Sequence, residues 1–296
     1  MTEAPVTPRP RKKGRIYSII GSIAILAAAI FAGLFVWEML PYWQGNRAYA
    51  SIAGGAVQVD KQMLARPFVP PTAQPTATPD PSARGGYHPT PVPTLTADQI
   101  DLWRIRSTIR IDFEKLQAIN PEIVGWIYSD HLPINYPILL GKDNDYYLNH
   151  LPDGTVNKLG SIFMDYRNQA DFSDDTTVLY GHNMRDDSMF ASLERYHTQE
   201  FFDAHPSIYI FIPGKVYRVD FFAGYVAETH DITSLYQHFE SPAQRNQFIA
   251  SSLARSRFVS PVKLFETDRY VSLITCDYSL ADSRWIMQGK LIDLTP

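Results

Sequence analysis

Residues Ile16–Trp37 form a run without a single charged side chain, interrupted by no polar group except Tyr17, Ser18 and Ser22. At a helical rise of ~1.5 Å per residue such a run reaches roughly 33 Å, enough to cross the hydrocarbon layer of a bilayer. Arg9, Arg11, Lys12, Lys13 and Arg15 all precede it. This charge bias predicts a cytoplasmic N-terminus and an outward-facing remainder. The competing reading is a cleaved signal peptide ending at Ala48-Tyr49-Ala50. That site lies far from the apolar run, and the run is long, so a retained signal anchor is expected.

From Arg66 to Pro93 the composition changes to nine prolines interspersed with Thr, Ala, Ser and Gly. A stretch of this kind cannot bury enough apolar surface to fold, and proline stiffens it into an extended spacer of at most ~3.1 Å per residue. It is expected to hold the following domain away from the bilayer. The chain thus divides into a basic tail (1–15), a transmembrane anchor (16–37), a juxtamembrane segment (38–65), a Pro-rich extracellular linker (66–95) and a folded domain (96–296). Pro41–Ala65 reads as at most a short amphipathic helix with no chemistry of its own. An apolar content of 45% with 13% aromatics supports a sizeable core. The net charge of −4 gives no reason to expect nucleic acid as a partner.

Thr96-Ala97-Asp98-Gln99 has the character of a helix start, and apolar residues from Ile100 to Ile119 recur at spacings compatible with one or two amphipathic helices ending at Asn120-Pro121. Six β-type runs follow, at 124–128, 134–140, 160–165, 176–180, 208–212 and 217–228, with a turn at Pro213-Gly214-Lys215 before the last. A helix over Pro242–Ser256 interrupts the later strands, and two more β-type runs, Tyr270–Cys276 and Arg284–Leu291, flank a turn-like stretch. The expected fold is mainly β, an eight-stranded closed or nearly closed barrel with helices outside.

Cys276 is the sole cysteine of the 296 residues. That excludes a disulfide framework within the chain and any multi-cysteine zinc site, and in an exported protein a lone thiol is a candidate for reactivity. With a pKa near ~8.5, a thiol needs a histidine, a cation or oriented amides before it works as a nucleophile. Arg284 stands eight residues on, so a hairpin closing between the two returns a permanent cation beside the sulfur. Of eight histidines, His182 is singled out because it follows the strand Val178-Leu179-Tyr180 and a glycine, which sets its ring at a sheet edge. His230, beside Asp231, is the runner-up. No HExxH or clustered His/carboxylate spacing implies a metal, and the acidic groups around Asp143, Asp171 and Asp186 lack the spacing of an EF-hand loop. Neither a Gly-x-Ser-x-Gly elbow nor a glycine-rich phosphate loop is present.

Five blocks, NPEIVGWIY (120–128), INYPILLGKDNDYYLNH (134–150), GSIFMDYRN (160–168), TTVLYGHNMRDDSMFASL (176–193) and YVSLITCDYSLADSRWIMQGKL (270–291), resemble the class B sortases, membrane-anchored cysteine transpeptidases of Gram-positive bacteria. The resemblance covers roughly Ile100–Leu294 and includes the helix between the late strands. It implies a sortase-type barrel, with His182 matching the histidine of the YGH motif, Cys276 the cysteine of the TC motif and Arg284 the arginine opening the next strand. The sequence departs from the common TLSTC pattern at Ile274, where an apolar side chain replaces a serine.

What the resemblance implies chemically is attack by the Cys276 thiolate on the carbonyl after the threonine of an NPxTx-like C-terminal sorting signal. His182 then protonates the leaving amine, and Arg284 stabilises the oxyanion or clamps the substrate backbone. Partners implied are surface proteins or pilins bearing the signal, and a lipid-linked peptidoglycan precursor or another amine acceptor. No cofactor is implied. Tyr180, Ile274 and Thr275 are expected to contact substrate because they flank the pair. Two alternatives remain open: a thiol hydrolase that uses water as acceptor, and a surface module in which Cys276 is a packing residue.

Overall fold

The structure, a computed structural model, describes residues 13–60, 62, 95–228, 235–277 and 283–295, without the side chains of 13–16, 18, 19, 276 and 277. It divides into two compact units, Met1–Asn46 and Arg47–Pro296. Helix α1 (Lys13–Ala56) begins in the first and ends in the second. Among the described residues it is the one helix long and apolar enough to cross a membrane, over Ile20–Ala56. It runs on through Pro41 into the stretch expected as at most a short separate helix. A proline deletes its own N–H and crowds the carbonyl one turn back. In a helix of 44 residues the remaining ladder carries the element past that loss.

The second unit opens with an unexpected ribbon. Strand β1 (Val57–Val59) pairs antiparallel with β2 (Ile109–Ile111), Val57 facing Ile111 and Val59 facing Ile109. Between them lies α2 (Ala97–Thr108), which begins at a full capping box: Thr96 Oγ1 accepts from the Gln99 amide at 3.2 Å while Gln99 Oε1 accepts from the Thr96 amide at 2.9 Å. After β2 comes α3 (Phe113–Ile119), capped by Asp112 and ended at Asn120. The stretch Ile100–Ile119 is therefore two helices with a strand between them. β-Branched Ile109 and Ile111 flank Arg110 and give those three residues a strand's alternation. The compact unit also starts at Arg47, well before the domain start expected at 96. Ile52, Ala56 and Val57 explain this, since they are buried in one core with Ile105, Ile109, Leu116 and Trp126. Residues 63–94, which hold most of the Pro-rich segment, lie outside the described residues.

The remaining strands close a barrel. They are β3 (Ile123–Tyr128), β4 (Asn135–Leu139), β5 (Ile162–Met164), β6 (Thr176–Tyr180), β7 (Ser207–Ile212), β8 (Lys215–Glu228), β9 (Arg269–Asp277) and β10 (Ser283–Asp293). Their order around the wall is β10-β8-β7-β3-β4-β5-β6-β9, with β9 pairing back onto β10. All eight expected strands are present, and a closed wall leaves no edge to template aggregation. Two contacts are parallel, β4 with β5 and β6 with β9. A short α4 (Gln199–Ala204) precedes β7, and α5 (Pro242–Arg255) starts at an N-cap Ser241 with proline in the first turn. α5 buries Phe248 in a cluster with Phe222, Tyr225, Tyr270 and Ile274. Burial of that one ring is worth about 1.5–3 kcal/mol. α2 is fastened to the barrel by Arg218, whose guanidinium reaches Asp98 and Asp101 at 3.0 Å each.

Candidate active site

Three neighbouring strands position the expected residues. In the parallel pair, Tyr180 of β6 faces Ile274 of β9, and the ladder runs one step further through the Gly181 amide to the Ile274 carbonyl at 3.1 Å. His182 follows the last paired residue of β6 by two positions, and Cys276 follows that residue's partner in β9 by two. Across the antiparallel pair Cys276 faces Arg284, which in turn faces Ala227 of β8. Cys276 and Arg284 are thus paired on β9 and β10, and His182 follows the end of β6, the other neighbour of β9. The Cys276 side chain lies outside the described residues, as do His230 and Asp231.

Gly181 lets the histidine sit where it does. A Cβ there would fall 2.5 Å from Ile162 Cδ1 and 2.6 Å from Phe190 Cδ2, so no other residue fits between strand end and ring. The turn beyond is closed by the Phe190 amide donating to the His182 carbonyl at 2.9 Å and by the Asn183–Met189 bridge. His182 Nε2 lies 2.7 Å from the Leu148 carbonyl. A carbonyl only accepts, so Nε2 carries the proton of this contact and Nδ1 is the ring's second nitrogen. The Arg284 guanidinium, half-buried, donates from one terminal nitrogen to the Ser283 carbonyl at 3.2 Å.

The three residues expected to touch substrate are placed differently. Tyr180 is half-buried, and its hydroxyl donates to Asp165 Oδ2 at 3.0 Å. Ile274 is 5% exposed and packs in the cluster of Val178 and Ile286. Thr275 is 2% exposed, pairs with the fully buried Trp285, and its hydroxyl finds no partner among the described residues.

Asp165 was not singled out in the sequence, yet it receives the Tyr180 hydroxyl. It is fully buried, and Arg167 forks onto both its oxygens at 2.8 Å, with Asn144 Nδ2 adding a third donor at 3.0 Å. Burial works against the charge, but the Arg167 fork and the further donors outweigh it and hold the carboxyl below the usual range. A depressed carboxyl contributes stability above its unfolded pKa, ~3.9, and loses that contribution as pH falls through its folded value. Asp165→Asn should therefore melt lower than the parent at pH 6. The gap in Tm between the two should shrink as the pH is taken below ~3.9, and a gap that stays constant would contradict the assignment.

A family model described as a sortase domain matches residues 128–292, more than half of the chain. The chain belongs to the sortase family. Sortase B of Listeria monocytogenes is 37% identical over 190 residues, which cover 64% of this chain and 77% of that protein. A Staphylococcus aureus sortase B–substrate complex superposes with a TM-score of 0.58 at 36% identity, covering 61% of this chain and 84% of that one. A sortase B complexed with triglycine gives a TM-score of 0.58 at 35% identity, over 61% of this chain and 85% of that one. This sortase is thus of the B kind, a cysteine transpeptidase, and its closed eight-stranded barrel is the fold of those structures.

Proposed function

We propose that this sortase cleaves an NPxTx-like C-terminal sorting signal of surface proteins and transfers the acyl group to an amine of a cell-wall precursor, with Cys276, His182 and Arg284 as the catalytic group. The observation that supports the reading is the register: Cys276 pairs with Arg284, and Ile274, two residues before Cys276, pairs with Tyr180, two residues before His182. In the first half-reaction the Cys276 thiol passes its proton to Nδ1 of His182, and the thiolate bonds to the carbonyl carbon after the signal's threonine. The peptide C–N bond breaks, and His182 delivers that proton from Nδ1 to the departing amine. In the second, the acceptor amine bonds to the same carbon, the thioester C–S bond breaks, and the amine's proton returns to His182. The oxyanion of each tetrahedral intermediate is met by the Arg284 guanidinium together with a backbone amide near Cys276. The relatives described with substrate and with triglycine support a peptide donor and an amine acceptor of this kind.

The same reading gives α1 a place. Its apolar segment spans the cell membrane once, with the basic residues Arg9–Arg15 on the cytoplasmic side and the barrel outside. In that position the enzyme meets exported proteins and lipid-linked precursor on the same face of the bilayer.

The test uses the full chain in detergent micelles with an NPQTN-type peptide, with and without triglycine, followed by mass spectrometry. The expected products are an acylated enzyme and a peptide ligated to triglycine. Hydrolysed peptide alone, whatever amine is offered, would overturn transpeptidation in favour of a thiol hydrolase.

A further inference from the structure

The chain between β4 and β5 forms a strap across the His182 ring, and the contact that fastens the strap comes from an unexpected place. The strap contains a 3-10 turn at Tyr146–Leu148, followed by a bridge between His150 and Val156. Its Leu148 carbonyl is the group that takes the His182 Nε2 proton at 2.7 Å. Gly160 lies directly beneath that carbonyl. Its φ is +56°, and a Cβ there would sit 2.4 Å from the Leu148 oxygen, so strap and carbonyl are in closest contact at this residue. Ser161 binds the strap twice more, its amide to the Tyr147 carbonyl and its hydroxyl to the His150 carbonyl, both at 2.8 Å.

Tyr49, on the last turns of α1, reaches this junction. It is 6% exposed, and its hydroxyl donates to the Gly160 carbonyl at 2.6 Å and lies 3.1 Å from Ser161 Oγ. Burial drives its phenol far up, so it remains a donor across the working pH range. Its ring also stands edge-on to Tyr136 at 5.2 Å, and the Tyr136 hydroxyl accepts from the Met189 amide at 3.2 Å, within the turn that closes onto the His182 carbonyl. Tyr49 therefore touches both halves of the cradle: the strap through its hydroxyl, and the turn through Tyr136.

We propose that Tyr49 is a positioning residue for the active-site histidine, coupling the membrane-proximal end of α1 to the orientation of the His182 ring. This rests on His182 acting as proposed above. One side chain ahead of the linker then decides how firmly the Leu148 carbonyl is presented. The coupling acts on the chemical step and leaves peptide binding alone, because the contacts of Tyr49 run to Gly160, Ser161 and Tyr136 on the histidine's side of the site.

Tyr49→Phe in the full chain tests the proposal, since it removes the hydroxyl and keeps the ring packed on Tyr136. The expected result is a fall in kcat of about tenfold with KM for the sorting peptide within twofold. In histidine-selective ¹⁵N spectra the slowly exchanging Nε2 proton of His182 should be lost or broadened, with the far-UV spectrum unchanged. Wild-type kcat, a change confined to KM, or an unaltered Nε2 proton would overturn it. His182→Gln run beside it separates the two readings. An inactive His182→Gln with a wild-type Tyr49→Phe rejects the coupling alone, whereas an active His182→Gln rejects the proposed catalytic group and the coupling with it.

Discussion

Cys276→Ala should lower transpeptidation by at least about 10⁴-fold and leave no acylated enzyme on mass spectrometry. On the proposed mechanism the whole cycle passes through a thioester on this sulfur, and alanine has no atom that can form one. The fold should survive, because Cys276 takes part in the wall through its backbone pairing with Arg284, which alanine retains. The parent's acyl adduct and its absence in the variant, at matched far-UV spectra, are the measurement. An adduct on Cys276→Ala, or product at the parent's rate, would remove the nucleophile assignment. The chain has no other thiol, so no second cysteine can mask the result.

Arg284→Lys should cost roughly 10²–10³ in kcat/KM while shifting stability by no more than about 0.5 kcal/mol. Lysine keeps the charge but replaces a planar fork of donors by a single ammonium. Arg284 is paired on both sides, to Cys276 and to Ala227, so the strand will hold either side chain at the same place. With one guanidinium nitrogen already on the Ser283 carbonyl, the rest of the fork is what a developing oxyanion can use. An ammonium carries its three donors on a single nitrogen and cannot reproduce the spacing of that fork. Turnover of the lysine variant at the parent's level, with an equal Tm, would show that oriented donation from Arg284 is not part of the reaction.

The barrel was legible because its strands alternate or run apolar, and the late pair closed in the register its spacing suggested, Cys276 on Arg284. Capping chemistry also read true. Thr96 and Gln99 make the reciprocal bonds their spacing implies, and Pro242 sits in the first turn of α5. Three-residue β1 and β2 carry too little pattern to be seen, and their partnership spans residues 57 to 111, where no local signal reaches. The support for His182 was invisible for another reason. It comes from the backbone carbonyl of Leu148, which any residue could supply, and from a tyrosine 133 positions earlier in the sequence. The hydrogen bond of Tyr180 runs to Asp165, which ends a β-type run with no local sign of its role until the fold brings Arg167, Asn144 and Tyr180 to it.

The β1–β2 ribbon also bears on how the chain would behave once cut. Asp60 leaves the ribbon with its amide on the Thr108 carbonyl at 2.7 Å, and α2, whose 12 residues rise ~18 Å, begins at Ala97. Asp60 and Leu95 thus belong to the same compact unit. A protease that cut between them would leave two polypeptides still joined through the β1–β2 pairing and the hydrogen bond of Tyr49 to Gly160.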